Sequence, residues 1–300
     1  MQQRNYGLGV LLVVIGGVFL STNGIMLRNI EQASGWQILF YRGLGFSVTM
    51  FLIILFQNRS NTASAFRAIG RRGLWAGLVL GLGSSCYIFA LMYTTIANAI
   101  FIIGAAPLAT AFVAWLVLGE RMSLTGVITM LVALGGVGLM FADGLIAGRW
   151  FGNVMALGVV ASFVTYLLIL RGSRDIDMLP ALCLGGVVMT LTGFLGAGSY
   201  SLSTNDLLIS LVMGCVQFCV GFMCFTIATR YILAAEVALF ALTESILAPI
   251  WVWIGVGETP SDLTLFGSAI VLISVAVYCV VGIRQERQDA RQAATAKSGE

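Results

Sequence analysis

The stretch Ala97–Glu120, ANAIFIIGAAPLATAFVAWLVLGE, runs from Ala97 to Gly119 without one ionised side chain. A bilayer core of roughly 30 Å needs about 20 apolar residues in helical form, so this stretch alone reads as a membrane span. A second stretch 138 positions later, Ala235–Glu258, AEVALFALTESILAPIWVWIGVGE, repeats its outline. The same shift sets Gly83 on Gly221, Cys86 on Cys224, Ala90 on Ala228 and Tyr93 on Tyr231. It also sets Trp115 on Trp253, Gly119 on Gly257, Glu120 on Glu258 and Ser123 on Ser261. Apolar coincidences are cheap in such a chain, but paired tryptophans, tyrosines and Gly-Glu steps in one register are the mark of an internal repeat.

The rest of the 300 residues has the same character: 59% are hydrophobic, 10% are charged and 36 are glycine. A soluble domain carries about 25% charged residues, so 29 ionised side chains cannot cover a water-facing surface of this size. Cutting at charged and turn-rich points gives ten apolar pieces. They run approximately Gly7–Leu27, Gln37–Phe56, Gly73–Tyr93, Ala97–Leu118, Leu124–Phe141, Phe151–Leu170, Pro180–Ala197, Leu207–Thr229, Ala234–Val256 and Leu263–Ile283. The runs are continuous, not alternating, which excludes a β-barrel. The first is too long for the apolar part of a signal peptide and is expected to stay.

Charge sets the orientation. With both termini cytoplasmic, Arg4, Arg59, Arg67, Arg71, Arg72, Arg121, Arg171, Arg174, Arg230, Arg284, Arg287, Arg291 and Lys297 all fall inside. Only Arg28 and Arg149 fall outside, a strong positive-inside bias. Five helices per repeat is an odd number, so the second copy must cross the membrane inverted. The expected architecture is an all-α integral membrane protein of ten transmembrane helices. Residues 1–143 form the first repeat, 144–284 the second, inverted one, and 285–300 a disordered cytoplasmic tail. Inverted repeats recur in secondary transporters, where two halves exchange conformations around a shared site.

The composition also excludes chemistry. The chain has no histidine, hence no Ser-His or Cys-His nucleophile and no HExxH zinc site. Its aspartates fall at loops or in the tail, which argues against an intramembrane aspartyl protease. Cys86, Cys183, Cys215, Cys219, Cys224 and Cys279 lie inside apolar stretches and read as packing residues. Cationic residues are scattered or confined to connections, so no nucleic-acid surface is expected. No metal or other cofactor is implied.

At the Gly-Glu steps the chain resembles the drug/metabolite transporter superfamily, and within it the EamA-type members. The resemblance rests on Tyr41-Arg42, Ala97-Asn98-Ala99, Pro107 through Trp115 to Gly119-Glu120-Arg121, and the echo Glu244, Pro249, Trp253, Gly257-Glu258. It extends from about Gly7 to Ile283. It implies ten helices, cytoplasmic termini, a central cavity and export of small metabolites. The chain is most similar in character to bacterial amino-acid exporters, including those of the YddG type for aromatic amino acids. The halves are not identical: Pro249 falls one helical turn after Ser245, the counterpart of Pro107.

Polar groups at membrane depth call for a partner or a function. Arg42 either attracts a substrate carboxylate or snorkels to the interface beside Tyr41. Glu244 lies near mid-membrane opposite Ala106 in the repeat, and a titratable carboxyl there either binds a substrate ammonium, exchanges a proton, or bonds a neighbouring helix. Glu236, the counterpart of Asn98, reads as structural. Asn23 and Gln217 are isolated amides, while Asn98 and Phe101 share one helix face. Tyr87, Tyr166 and Trp251 complete the candidate lining, suited to an amphipathic ligand. Gly77-x-x-x-Gly81 lets the third span approach a neighbour, and Pro107 and Pro249 are candidate hinges. The expected function is a monomeric secondary transporter of the bacterial inner membrane. It would export aromatic or neutral amino acids or similar small metabolites by alternating access, with protons the candidate coupling ion. The alternatives are an organic-cation or multidrug exporter of the same fold and, further off, a membrane-embedded enzyme.

Overall fold

The structure, a computed structural model, describes residues 6–118, 148–173, 175–231 and 242–257, with isolated positions between 124 and 139, at 237, and between 259 and 277. Every regular element among the described residues is helical. The first line of chain is α1 (Tyr6–Ser21) and α2 (Asn23–Arg28), interrupted at Thr22. The interruption is local chemistry: Ser21 and Thr22 return their hydroxyl protons to the Val18 and Phe19 carbonyls, each at 2.7 Å, in competition with the helix ladder. Next, α3 (Gly35–Asn58) opens on a capping box in which Ser34 Oγ accepts from the Gln37 N–H and Gln37 Oε1 accepts from the Ser34 N–H at 2.9 Å. A 3-10 turn and the short exposed α4 (Thr62–Ala68) lead to α5 (Gly70–Tyr93).

The expected fourth span is two helices, α6 (Ile96–Ile103) and α7 (Ala106–Leu118), with a break at Gly104–Ala105. Then come α8 (Trp150–Arg171), α9 (Leu179–Gly196) and α10 (Thr204–Val212). A π-helical turn at Met213–Phe218 joins α10 to α11 (Cys219–Ala228), and α12 (Leu242–Val256) follows. Among the described residues six helices are long and apolar enough to cross a membrane: Gly7–Arg28, Gly35–Asn58, Gly70–Tyr93, Trp150–Arg171, Leu179–Gly196 and Thr204–Ala228. They fall on the first, second, third, sixth, seventh and eighth expected spans. The fifth and tenth are described only at isolated positions, and Glu120, Glu236, Glu258 and residues 285–300 lie outside the described residues.

These helices pack as one bundle. α3 crosses α9, α5 lies between α8 and α9, and α1 rests on α11 and α12. α6 and α7 lie on α8, and α12 also touches α2 and α6. The pair Gly77 and Gly81 serves the α5–α9 contact: a Cβ on Gly77 would fall 2.7 Å from the Cβ of Leu184. Leu44, Val48, Phe51 and Leu55 of α3, Leu74, Trp75 and Leu82 of α5, and Leu191, Phe194 and Leu195 of α9 point outward and exposed. Apolar faces of that extent have a solvent in lipid, not in water. The chain is an all-helical, multi-pass membrane protein.

The two ends of the bundle differ. At the end where α3 and α10 begin, Asp206 is fully buried and its carboxylate accepts the backbone N–H groups of Glu31, Gln32 and Ala33, each at 3.0 Å. Around it, Gln37 Nε2 donates to the Ser199 and Ser201 carbonyls, Tyr41 to the Tyr200 carbonyl at 2.6 Å, and Asn205 to the Asn29 carbonyl. An aromatic collar surrounds this clasp: Trp36 meets Phe89 at 4.6 Å, Tyr200 stacks on Phe194 at 5.5 Å, and Tyr93 meets Phe151 at 5.2 Å. Such rings favour a membrane–water boundary. At the opposite end the connections meet through exposed contacts, Arg72 to the Gly172 carbonyl and the pair Arg230–Asp177, both 2.6 Å.

Candidate functional site

Inside the bundle lies a cavity of about 770 Å³ of atom-free space, counting the part open to solvent. Its walls come from α1, α2, α3, α5, α8, α11 and α12, from the Gly104 break and from the π turn. Five residues singled out in the sequence meet there: Asn23, Arg42, Tyr87, Tyr166 and Glu244.

Arg42 stands one α-helical stretch, Gly35 to Arg42, below the clasp. There α3 passes so close to the π turn that a Cβ on Gly214 would collide with the Arg42 carbonyl. The guanidinium does not snorkel. It is 0% exposed and lies over the Phe218 ring at 4.4 Å, with the Tyr87 ring at 5.9 Å. Tyr41, by contrast, faces the clasp. The Nε, Nη1 and Nη2 atoms of Arg42 are all buried without a hydrogen-bond partner among the described residues. That leaves five N–H donors open, an expensive condition for a buried cation.

Glu244 faces the same cavity but does not bond Arg42. Its Oε1 accepts the Tyr87 hydroxyl at 2.8 Å. Asn23 opens α2 just past the Thr22 interruption, buried, with its Oδ1 also unpartnered. Further along, the Tyr166 hydroxyl meets Thr226 Oγ1 at 2.9 Å. Thr226 already gives its own proton to the Phe222 carbonyl at 2.7 Å, so Tyr166 is the donor. Three irregularities of the helices border this space: the Thr22 interruption beside Leu20 and Asn23, the Gly104–Ala105 break, and the π turn carrying Phe218. Backbone irregularity at membrane depth is tolerated where it lines a cavity, and π turns favour functional positions.

Four other candidates lie elsewhere, each with a partner or packing role. Asn98 donates to Asn153 Oδ1 at 2.7 Å and to Thr94 Oγ1, joining α6 to α8. Gln217 donates to the Leu20 carbonyl at 3.1 Å. Phe101 packs in the apolar cluster with Leu27, Ile38 and Ile100. Trp251 is 36% exposed and donates to Ser21 Oγ at 3.0 Å. Pro107 falls in the first turn of α7, directly after the break, where a missing N–H costs nothing. Pro249 lies inside α12, which continues through it.

The cavity also has walls that sequence reading passed over: Phe163, Phe218, Phe222 and Phe225. The last three recur at i, i+4 and i+7, one face of a helix, and that spacing was the available signal. Phe218 and Phe222 meet at 4.3 Å, and Tyr166 meets Phe222 edge-on at 6.2 Å.

Comparison with known proteins fits this geometry. Residues 7–142 match the EamA-like transporter family. Over that stretch the chain is similar to the EamA-like transporter family. A Bacillus subtilis (strain 168) relative, "Uncharacterized transporter YwfM", is 25% identical over 232 residues, 72% of this chain and 78% of its own. A solved crystal structure superposes on 91% of this chain and 98% of its own with a TM-score of 0.68 at 14% identity, a likeness of fold. The cavity straddles the limit of the family match. Asn23, Arg42 and Tyr87 come from within residues 7–142, and Tyr166, Phe218 and Glu244 from beyond it.

Proposed function

We propose that this chain is a secondary carrier of the bacterial inner membrane that exports amino acids, neutral and aromatic ones foremost, or similar small metabolites. It works as a monomer by alternating access between two inverted five-helix repeats, with both termini cytoplasmic and protons as the candidate coupling ion. The observation that carries the reading is the interior cavity. It sets a cation without a hydrogen-bond partner, Arg42, and a carboxylate, Glu244, beside an aromatic wall.

The helix pairings support the inverted repeat. Moved by 138 positions, α1 falls on the start of α8, while the second half of α5 falls on α11 and α7 falls on α12. α1 packs on α11 and α12, and α8 packs on α5 and α7. α3 moved by the same amount falls on α9, its own partner. The transporter name of the Bacillus relative points the same way, and the cation asymmetry of the connections supports cytoplasmic termini. The organic-cation reading keeps Glu244 as its anchor but must place a second cation beside Arg42, which favours amino acids.

The test is a counterflow screen in proteoliposomes across labelled amino acids, organic cations and nucleobases. Neutral and aromatic amino acids are expected to exchange. Exchange of a cation with no amino acid would replace the substrate and keep the carrier, and exchange of nothing would end the carrier reading.

A further inference from the structure

The cavity is bipolar along the bundle. Arg42, Tyr87 and Asn23 stand toward the clasped ends of α3, α5 and the combined α1–α2 span, whereas Tyr166, Phe222 and Phe225 stand toward the opposite ends of α8 and α11. Its charged half is electrically incomplete. Arg42 presents a planar fork of donors with no acceptor, held flat by Phe218, and such a fork matches a carboxylate through two parallel hydrogen bonds. Glu244 is held by a hydroxyl, not by a cation. A solute with one charge satisfies one of these groups and sets a like charge against the other, a form of rejection built into the site. Only a solute carrying both charges close together completes both. The aromatic half spends its tyrosine hydroxyl internally, because Tyr166 donates to Thr226. It therefore offers ring faces and edges to an apolar side chain.

We infer that the cavity fixes the orientation of a zwitterionic solute: carboxylate on Arg42, ammonium on Glu244 in place of the Tyr87 hydroxyl, and apolar side chain among Tyr166, Phe222 and Phe225. The inference rests on the carrier reading above and adds to it which residue reads which end of the solute. Arg42 is the residue that excludes lone cations, and Glu244 the one that excludes lone anions.

The experiment uses phenylalanine and its two single-charge analogues, 3-phenylpropionate and phenethylamine, as competitors of labelled phenylalanine in counterflow. For the parent protein both analogues are expected to compete at least about tenfold more weakly, the loss of one charge-assisted hydrogen bond. In Arg42→Gln phenethylamine should draw level with phenylalanine, and in Glu244→Gln 3-phenylpropionate should. These are rankings within one variant, so a reduced amount of folded carrier does not alter them. Should a variant carry no flux, thermal protection of the parent protein in detergent decides: phenylalanine must protect at concentrations where neither analogue does. Equal protection by either analogue, or the parent ranking kept in both variants while phenylalanine still exchanges, overturns the orientation and leaves the carrier standing. Exchange of a cation with no amino acid by the parent protein overturns the orientation alone, and exchange of no solute at all overturns both.

Discussion

Among the described residues the bundle encloses one fully buried carboxylate, Asp206, and one half-buried carboxylate in the cavity, Glu244, and the protein treats them in opposite ways. Asp206 receives three backbone N–H groups from residues 31–33, while Ser203 caps the same helix start by accepting the Asp206 N–H at 3.1 Å. Glu244 receives one hydroxyl, and the cation that shares its cavity receives nothing. Both groups carry the desolvation cost of leaving water. At the clasp the cost is met by fixed hydrogen bonds that tie the α2–α3 connection to the start of α10. In the cavity it is left unmet. A satisfied buried charge marks where the fold is held, and an unsatisfied one marks where a ligand completes it.

The sharpest way to break that contrast is Asp206→Ala. It orphans three N–H groups at once and unties the connection, at a cost of about 2–4 kcal/mol. The melting temperature in detergent is expected to fall by roughly 5–10 °C. Asp206→Asn should recover less than half, since one carboxamide oxygen replaces two acceptors and its NH2 group faces N–H donors. A variant that melts with the parent protein would show the clasp to be incidental, and the distinction between the two carboxylates would lose its structural side.

The same contrast explains what the sequence disclosed. The membrane class and the six long helices follow from uninterrupted apolar length, a property that tertiary context does not change. Asn23, Arg42 and Glu244 stand out in the sequence because polar groups in apolar runs are costly, Tyr87 and Tyr166 as aromatic lining for an amphipathic ligand, and all five reach the cavity. Asn98 and Gln217 stand out for the first of these reasons, yet their amide N–H groups go to Asn153 and the Leu20 carbonyl. Cost is legible in one dimension, but the partner that repays it is 55 or 197 residues away. Phe218, Phe222 and Phe225 carry no such mark in an apolar span, and the π turn at Met213–Phe218 shifts their phase against the preceding helix. Asp206 reads as a loop residue because it sits among Ser203, Thr204 and Asn205, and its burial depends on a connection 173 to 175 residues earlier.

Arg42→Met tests the other side. Removing an unpaired buried cation in favour of an apolar chain of similar length is often neutral or stabilising. The melting temperature should stay within about 3 °C of the parent protein or rise, while exchange of amino acids falls to background. This pairs with the Asp206 result, in which stability falls first. If Arg42→Met melts as early as Asp206→Ala, the guanidinium is holding Phe218 and the π turn, and its vacancy is structural.

Tyr87→Phe is the finest adjustment, because it keeps the ring beside Arg42 and deletes only the hydroxyl on Glu244. Losing one hydrogen bond costs about 1 kcal/mol, a fall of roughly 2–4 °C. Binding should move the other way. The solute's ammonium no longer has to displace a hydroxyl from Oε1, so half-saturation for phenylalanine is expected to drop by about threefold to tenfold. The value for 3-phenylpropionate, which leaves Glu244 untouched, should hold. A loss of affinity for both would place the Tyr87 hydroxyl among the groups that touch the solute directly. The incomplete half of the cavity would then be Arg42 alone.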